Sequence, residues 1–150
     1  MTPIPTILLV EDDPRDAELV LKALATATPR PVVVHLQDGA DALDFLYRRG
    51  AYVGNSCRPA VMLLDLKMPR VDGLEVLRQV KSDPDLKTIP VVVLTSSQEE
   101  RDVLETYSLG ANAYVVKPLR FRSFIDAIQA VGVFWAVLNQ PPPGTGERGE

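Results

Sequence analysis

The carboxylates of Glu11, Asp12 and Asp65, the hydroxyl of Thr95 and the amine of Lys117 stand at the ends of four short apolar runs. Together these groups can hold a divalent cation and take up a phosphoryl group. Ile7–Val10 runs into Glu11, Asp12 and Asp13; Ala60–Leu64 runs into Asp65; Val91–Leu94 runs into Thr95 and Ser96; Ala113–Val116 runs into Lys117. Carboxylates brought within a few Å repel, so they need a cation or raised pKa values. Mg²⁺ favours such oxygen ligands with water completing an octahedron. Asp65, placed between the others, can be a nucleophile toward phosphorus. Lys117 adds a charge to hold a phosphoryl oxygen, and Thr95 adds a donor. Phosphoryl transfer asks for positioning and charge neutralisation more than for elaborate covalent chemistry.

The elements that must bring these groups together alternate strictly. Apolar runs of this length read as strands buried on both faces, the mark of a parallel sheet. Strands are expected at 6–11, 32–36, 60–65, 91–95 and 112–116. The first helix opens at Asp13-Pro14, with Asp13 as cap, Pro14 in the first turn and Asp16 near the helix N-terminus. Its apolar face is Ala17, Val20, Leu21 and Leu24. A second helix runs from Gly39 to Arg49 with Leu43, Leu46 and Tyr47 inward. A long loop from Gly50 to Pro59 follows. Asp72 with Glu75 reads as a capping box for a third helix carrying Leu74 and Leu77. Ser97 with Glu100 is a similar pair for a fourth helix ending near Gly110. That helix is weakly amphipathic, with Val103, Leu104 and Tyr107 as its main apolar residues. Phe121, Phe124, Ile125, Ile128, Trp135 and Leu138 stripe a long last helix. The chain from Pro141, rich in Pro, Gly and charge, reads as a disordered tail. The result is a three-layer α/β sandwich. The strand order 2-1-3-4-5 puts the two acid-bearing strands beside the switch point, where such sheets bind ligands at their carboxyl ends.

Composition sets bounds on this picture. The 150 residues suit one domain with a sizeable core, and the formal net charge of −4 argues against a nucleic-acid surface. A single cysteine, Cys57, is read as a bystander and fits a reducing cytosol. No apolar run approaches the roughly 18 residues of a membrane span, and no signal peptide is evident. A cytoplasmic location is expected. His35, the one histidine, is read as structural.

Val10-Glu11-Asp12-Asp13, Leu64-Asp65-Leu66-Lys67-Met68-Pro69, Asp72-Gly73, Thr95 and Lys117-Pro118 resemble the receiver domain of bacterial two-component response regulators, over about residues 6–138. The resemblance implies a flavodoxin-like (βα)5 fold for residues 1–138, with 139–150 as tail. It implies Asp65 as phospho-acceptor, with Thr95 and Lys117 contacting the phosphoryl group. It implies Mg²⁺ held by Asp12, Glu11, Asp65 and the backbone carbonyl of Lys67. Tyr114 matches the aromatic that changes rotamer with Thr95 on activation. Lys67 and Ser97, two residues beyond Asp65 and Thr95, match positions that line the path of attacking water and so tune the lifetime. Phe45-Leu46-Tyr47-Arg48-Arg49-Gly50, Leu86-Lys87-Thr88-Ile89-Pro90 and Tyr107-Ser108-Leu109-Gly110-Ala111-Asn112 are similar to the stand-alone regulators paired with bacterial phytochrome kinases. That narrower likeness implies a sensor histidine kinase, a bacteriophytochrome, as phosphodonor. A downstream phosphotransfer protein is a further partner, and neither nucleic acid nor membrane is expected. The aromatic last helix, with Tyr107, suggests a homodimer through the fourth and fifth helices.

Other classes compete. A haloacid-dehalogenase-like phosphatase also uses an Asp nucleophile, but it needs a second Asp two residues on, where this chain has Lys67. A dinucleotide- or flavin-binding module lacks its glycine-rich turn here. A degenerate receiver that only binds partners is opposed by the complete set of acids, Thr95 and Lys117. A phospho-acceptor switch, not an enzyme acting on an outside substrate, is the reading carried forward.

Overall fold

In the computed structural model, residues 6–26, 30–96, 99–117, 121–135 and 139–140 are described. The strands are β1 (Thr6–Val10), β2 (Val32–Leu36), β3 (Val61–Leu64), β4 (Val91–Thr95) and β5 (Ala113–Val116), all parallel, in the order β2-β1-β3-β4-β5. The helices are α1 (Pro14–Ala25), α2 (Gly39–Tyr47), α3 (Gly73–Ser82), α4 (Glu100–Ser108) and α5 (Phe121–Val133). The expected strand order and layering are therefore found.

The three central strands are buried on both faces because two separate cores cover them. Leu8, Val10, Met62, Leu64, Val91 and Val93 face α2 and α3. Ile7, Leu9, Val61, Leu63, Val92 and Leu94 face the layer of α1 and α5. Neighbouring residues on a strand point to opposite faces, so a strand with both faces covered must be apolar throughout. The edge strand β2 shows the contrast, with Val32 nearly half exposed.

Local chemistry sets where each helix starts. Asp13 caps α1 by accepting from the N–H groups of Arg15 and Asp16 at 2.8 and 3.3 Å. Asp72 caps α3 by accepting from Glu75 N–H at 3.0 Å. The Glu75 carboxylate turns instead to Arg78 and Gln79, so the box is closed on one side. For α4 a cap from Ser97 was expected. The N-cap is Glu99 and makes no side-chain cap bond. Ser97 itself lies outside the described residues. Leu104 and Tyr107 are 60% and 49% exposed, in keeping with a weakly amphipathic helix, and the buried residue of α4 is Thr106. Its hydroxyl satisfies itself on Asp102 O, which lets a polar residue take the inner face.

α2 stops two residues earlier than its pattern suggests, because Arg48 takes a left-handed conformation that closes the helix. The loop after it contains one 3-10 turn at Gly50–Tyr52. Arg58 then ties that loop to Asp85 O and Thr88 Oγ1 at 2.8 and 2.6 Å. α5 ends on a widened turn at Phe134 and Trp135, where Asn139 N–H reaches Phe134 O at 2.7 Å. The tail from Pro141 and Leu138 of the last stripe fall outside the described residues.

Two glycines bring helices closer to the loop after β3 than any side chain would allow. A Cβ on Gly73 would stand 2.1 Å from Asp65 O, and one on Gly39 would stand 2.0 Å from Val71 O. The loop from Asp65 to Asp72 is thus held between the first turns of α2 and α3.

Candidate functional site

Glu11, Asp65 and Lys117 each sit one step past the end of a strand, on a ladder that continues beyond it. Glu11 N–H donates to Leu36 O at 3.0 Å, Asp65 N–H to Val10 O at 3.1 Å, and Lys117 N–H to Thr95 O at 2.8 Å. Backbone bonding therefore fixes the Cα atoms of Glu11, Asp65 and Lys117 before their side chains interact. The strands contribute their carboxyl ends, so all three project over the same edge of the sheet.

Glu11, Asp12 and Asp65 each offer a carboxylate oxygen within 4.8 Å of the others. Glu11 and Asp65 are buried, and Asp12 is exposed. Lys117 reaches over them: its Nζ lies 2.6 Å from Glu11 Oε1 and 3.5 Å from Asp65 Oδ2. It also lies 2.6 Å from Asp16 Oδ2 on the first turn of α1. Asp65 Oδ1 accepts weakly, at 3.5 Å, from the N–H of Lys67. Thr95 is buried at the end of β4. Tyr114, on β5 in register with Val93, is half-buried against the core on the α2–α3 side. The Lys67 side chain is exposed. With Asp12, Asp72 and Asp102 it borders a depression of about 480 Å³ floored by Leu66 and Met68.

The electrostatics follow from this crowding. Burial, then a hydrogen bond with Asp65, push the Glu11 carboxyl up to about 8, although Lys117 pulls the other way. Burial would lower the Lys117 amine, but the hydrogen bonds from it to Asp16 and Glu11 outweigh that, and its net shift is upward. Three carboxylates with at most one buried amine between them hold excess negative charge. A hard divalent cation with oxygen ligands fits that donor set.

A carboxyl raised in the fold keeps a proton that the unfolded chain has lost, between about 4.5 and 8. Metal-free stability should therefore fall as pH rises through that window. A cation that binds the Glu11 carboxylate must displace this proton, so its stabilisation should grow over the same range. The gain in melting temperature from saturating Mg²⁺ is expected to be on the order of 5 °C at pH 8 and clearly smaller at pH 6. Differential scanning fluorimetry at both pH values checks this, and an equal gain would remove Glu11 from the cation site.

The structure thus gathers Glu11, Asp12, Asp65, Lys117 and Thr95, as the sequence led one to expect, with Tyr114 nearby. Two neighbours were legible only as something else. Asp16 reads as a first-turn helix acid, and its bond to Lys117 spans 101 positions. His35 reads as a strand residue, and its Nε2 lies 2.9 Å from Glu11 O. A carbonyl only accepts, so Nε2 carries the hydrogen and His35 buttresses the Glu11 backbone.

Comparison with known proteins agrees with this geometry. The profile of the response regulator receiver domain matches residues 7–129. Response regulator Rcp1 of Synechocystis sp. (strain ATCC 27184 / PCC 6803 / Kazusa) is 44% identical over 133 residues, 89% of this chain and 90% of its own length. The Mn²⁺-bound form of Rcp1 superimposes with a TM-score of 0.86 at 43% identity, covering 92% and 99% of the two chains. The phosphorylated cyanobacterial phytochrome response regulator RcpA gives a TM-score of 0.89 at 39% identity, covering 93% and 99%. The bacteriophytochrome response regulator RtBRR is more similar in sequence, 56% identical with a TM-score of 0.74, covering 95% and 87%.

Proposed function

Because the chain belongs to the response regulator receiver family, we propose that it is a stand-alone phosphorylation switch of a two-component relay with Asp65 as acceptor. The observation that carries this is the meeting of Glu11, Asp12, Asp65 and Lys117 at one sheet edge, drawn from three separate strands. An Asp65 oxygen forms a bond to phosphorus as the bond from phosphorus to the donor's imidazole nitrogen breaks. The electron pair of that bond leaves with the imidazole. Lys117 holds the charge that develops on the phosphoryl oxygens, and the Thr95 hydroxyl donates to one of them. Glu11, Asp12, Asp65 and the Lys67 carbonyl would hold Mg²⁺, which supplies further charge neutralisation; the Mn²⁺-bound form of Rcp1 supports a divalent ion in this family. Thr95 and Tyr114 then pass the change to the face made by α4 and α5 by shifting populations.

The donor is a sensor histidine kinase. The likeness to phytochrome response regulators supports a bacteriophytochrome as that kinase and a cytoplasmic site of action. Among the described residues, no helix is long and apolar enough to cross a membrane. Output goes by protein contact, to a phosphotransfer protein or within a homodimer. Exposed Leu104 and Tyr107 on α4 and exposed Phe134 beyond α5 supply the apolar surface for that dimer. A single-chain mass by light scattering at working concentration would refute the dimer.

Incubation with Mg²⁺ and a small phosphodonor, followed by intact mass measurement, tests the acceptor reading. A gain of one phosphoryl group that disappears with chelator is expected. No gain from a small donor or from an autophosphorylated bacteriophytochrome would overturn it.

Lifetime is set, in this reading, by Lys67 and Ser97. The exposed Lys67 ammonium can swing over the phosphoryl group and shield it from water. Lys67→Ala is expected to change the phospho-Asp65 half-life by several-fold, followed by the decay of the phosphorylated mass; an unchanged half-life would remove Lys67 from this role.

A further inference from the structure

We propose that Asp16 is a positioning residue that holds Lys117 in the unphosphorylated protein and must yield it to the phosphoryl group. This rests on the reading of Asp65 as acceptor and adds a residue to it. Asp16 lies on α1, outside the strand-end set that the sequence pointed to. Its Oδ2 nonetheless stands 2.6 Å from Lys117 Nζ, as near as Glu11 and nearer than Asp65 at 3.5 Å.

The amine has three carboxyl neighbours from two layers of the fold. Glu11 and Asp65 lie at the sheet edge, and Asp16 lies on the helix that covers it. Lys117 is nearly buried, with its side chain 11% exposed, so it has few acceptors to choose among. Asp16 is more open, at 30%, and can exchange Lys117 for water without leaving a buried orphan charge. A phosphoryl group on Asp65 brings new anionic oxygens close to the amine, which already stands 3.5 Å from Asp65 Oδ2. Lys117 must then pair with them at the expense of its bond to Asp16. The Asp16 contact stabilises only the unphosphorylated state, so it lowers the affinity of the site for a phosphoryl group by its own coupling to Lys117. Because Asp16 is fixed to α1, which packs against α5, the exchange of partners also alters what the α1–α5 layer holds.

A double-mutant cycle isolates this role from a general effect of charge or fold. Binding of beryllofluoride with Mg²⁺, a stable analogue of the phosphoryl group, is measured by calorimetry in four proteins: wild type, Asp16→Asn, Lys117→Met and the double variant. Asp16→Asn keeps the shape of the side chain, and melting temperature confirms that each protein is folded. Asp16→Asn is expected to tighten binding by roughly fivefold in the presence of Lys117 and to leave it unchanged in the Lys117→Met background. Equal tightening in both backgrounds would overturn the proposal, because Asp16 would then act through its field and not through Lys117. Unchanged or weaker binding in Asp16→Asn alone would overturn it as well. Should Lys117→Met be unfolded, Lys117→Gln replaces it, with the same expectation that the Asp16 effect disappears. Failure of the wild type to bind the analogue at all would overturn the acceptor reading itself and this proposal with it.

Discussion

Asp65→Asn is expected to take up no phosphoryl group, under conditions in which the wild type gains one within the same incubation. An amide oxygen is a poor nucleophile toward phosphorus, and none of the other carboxylates can replace it. Glu11 is buried and paired with Lys117 at 2.6 Å, and Asp12 stands at the solvent edge. The substitution should not harm the fold. It removes the like charge that, after burial, pushes the Glu11 carboxyl upward, so in metal-free buffer near pH 8 the variant should melt a few degrees higher than the wild type. The gain from Mg²⁺ should shrink, since one carboxylate of the group is lost. Intact mass reads the first effect and a thermal shift reads the second. A phosphoryl gain in Asp65→Asn would move the acceptor elsewhere, while a lower melting temperature would mean that Asp65 serves the fold more than it strains it.

Gly73→Ala is expected to cost about 3 kcal/mol or more of stability and to weaken Mg²⁺ binding in the molecules that still fold. The new Cβ would stand 2.1 Å from Asp65 O, 2.7 Å from Leu66 Cα and 2.9 Å from Asp65 C. All three are backbone atoms, so no side chain can swing aside. Gly73 N–H also donates to Leu66 O at 2.8 Å, which holds the two segments at that separation. Either α3 or the loop carrying Asp65 must shift, and Asp65 is the residue whose position matters. Urea denaturation gives the stability loss, and titration with Mg²⁺ gives the site effect. A variant as stable as the wild type would show that α3 can retreat without cost.

The sheet was legible because its central strands are covered on both faces and so carry unbroken apolar runs, each ending in a site residue. Helix starts were legible where a side chain does the capping, as at Asp13 and Asp72. They were not at α4, whose N-cap residue Glu99 makes no side-chain cap bond. The burial of Thr106 was hidden for a related reason: it satisfies its hydroxyl on its own helix, and apolarity alone does not reveal that. Glu11, Asp65 and Lys117 could be joined on paper because strand order places their Cα atoms. Asp16 could not, because it reaches the site from a helix, across a distance set by the packing of α1.

The spread of the site along the chain has a consequence for signalling fidelity. Glu11 and Lys117 are 106 positions apart, with Asp65 52 before the lysine. No fragment shorter than nearly the whole domain assembles them, and a nascent or damaged chain offers a donor only a solvated aspartate. Incomplete molecules therefore stay silent: they can neither hold a false signal nor draw phosphoryl groups away from finished ones. The relay counts only receivers that have completed folding.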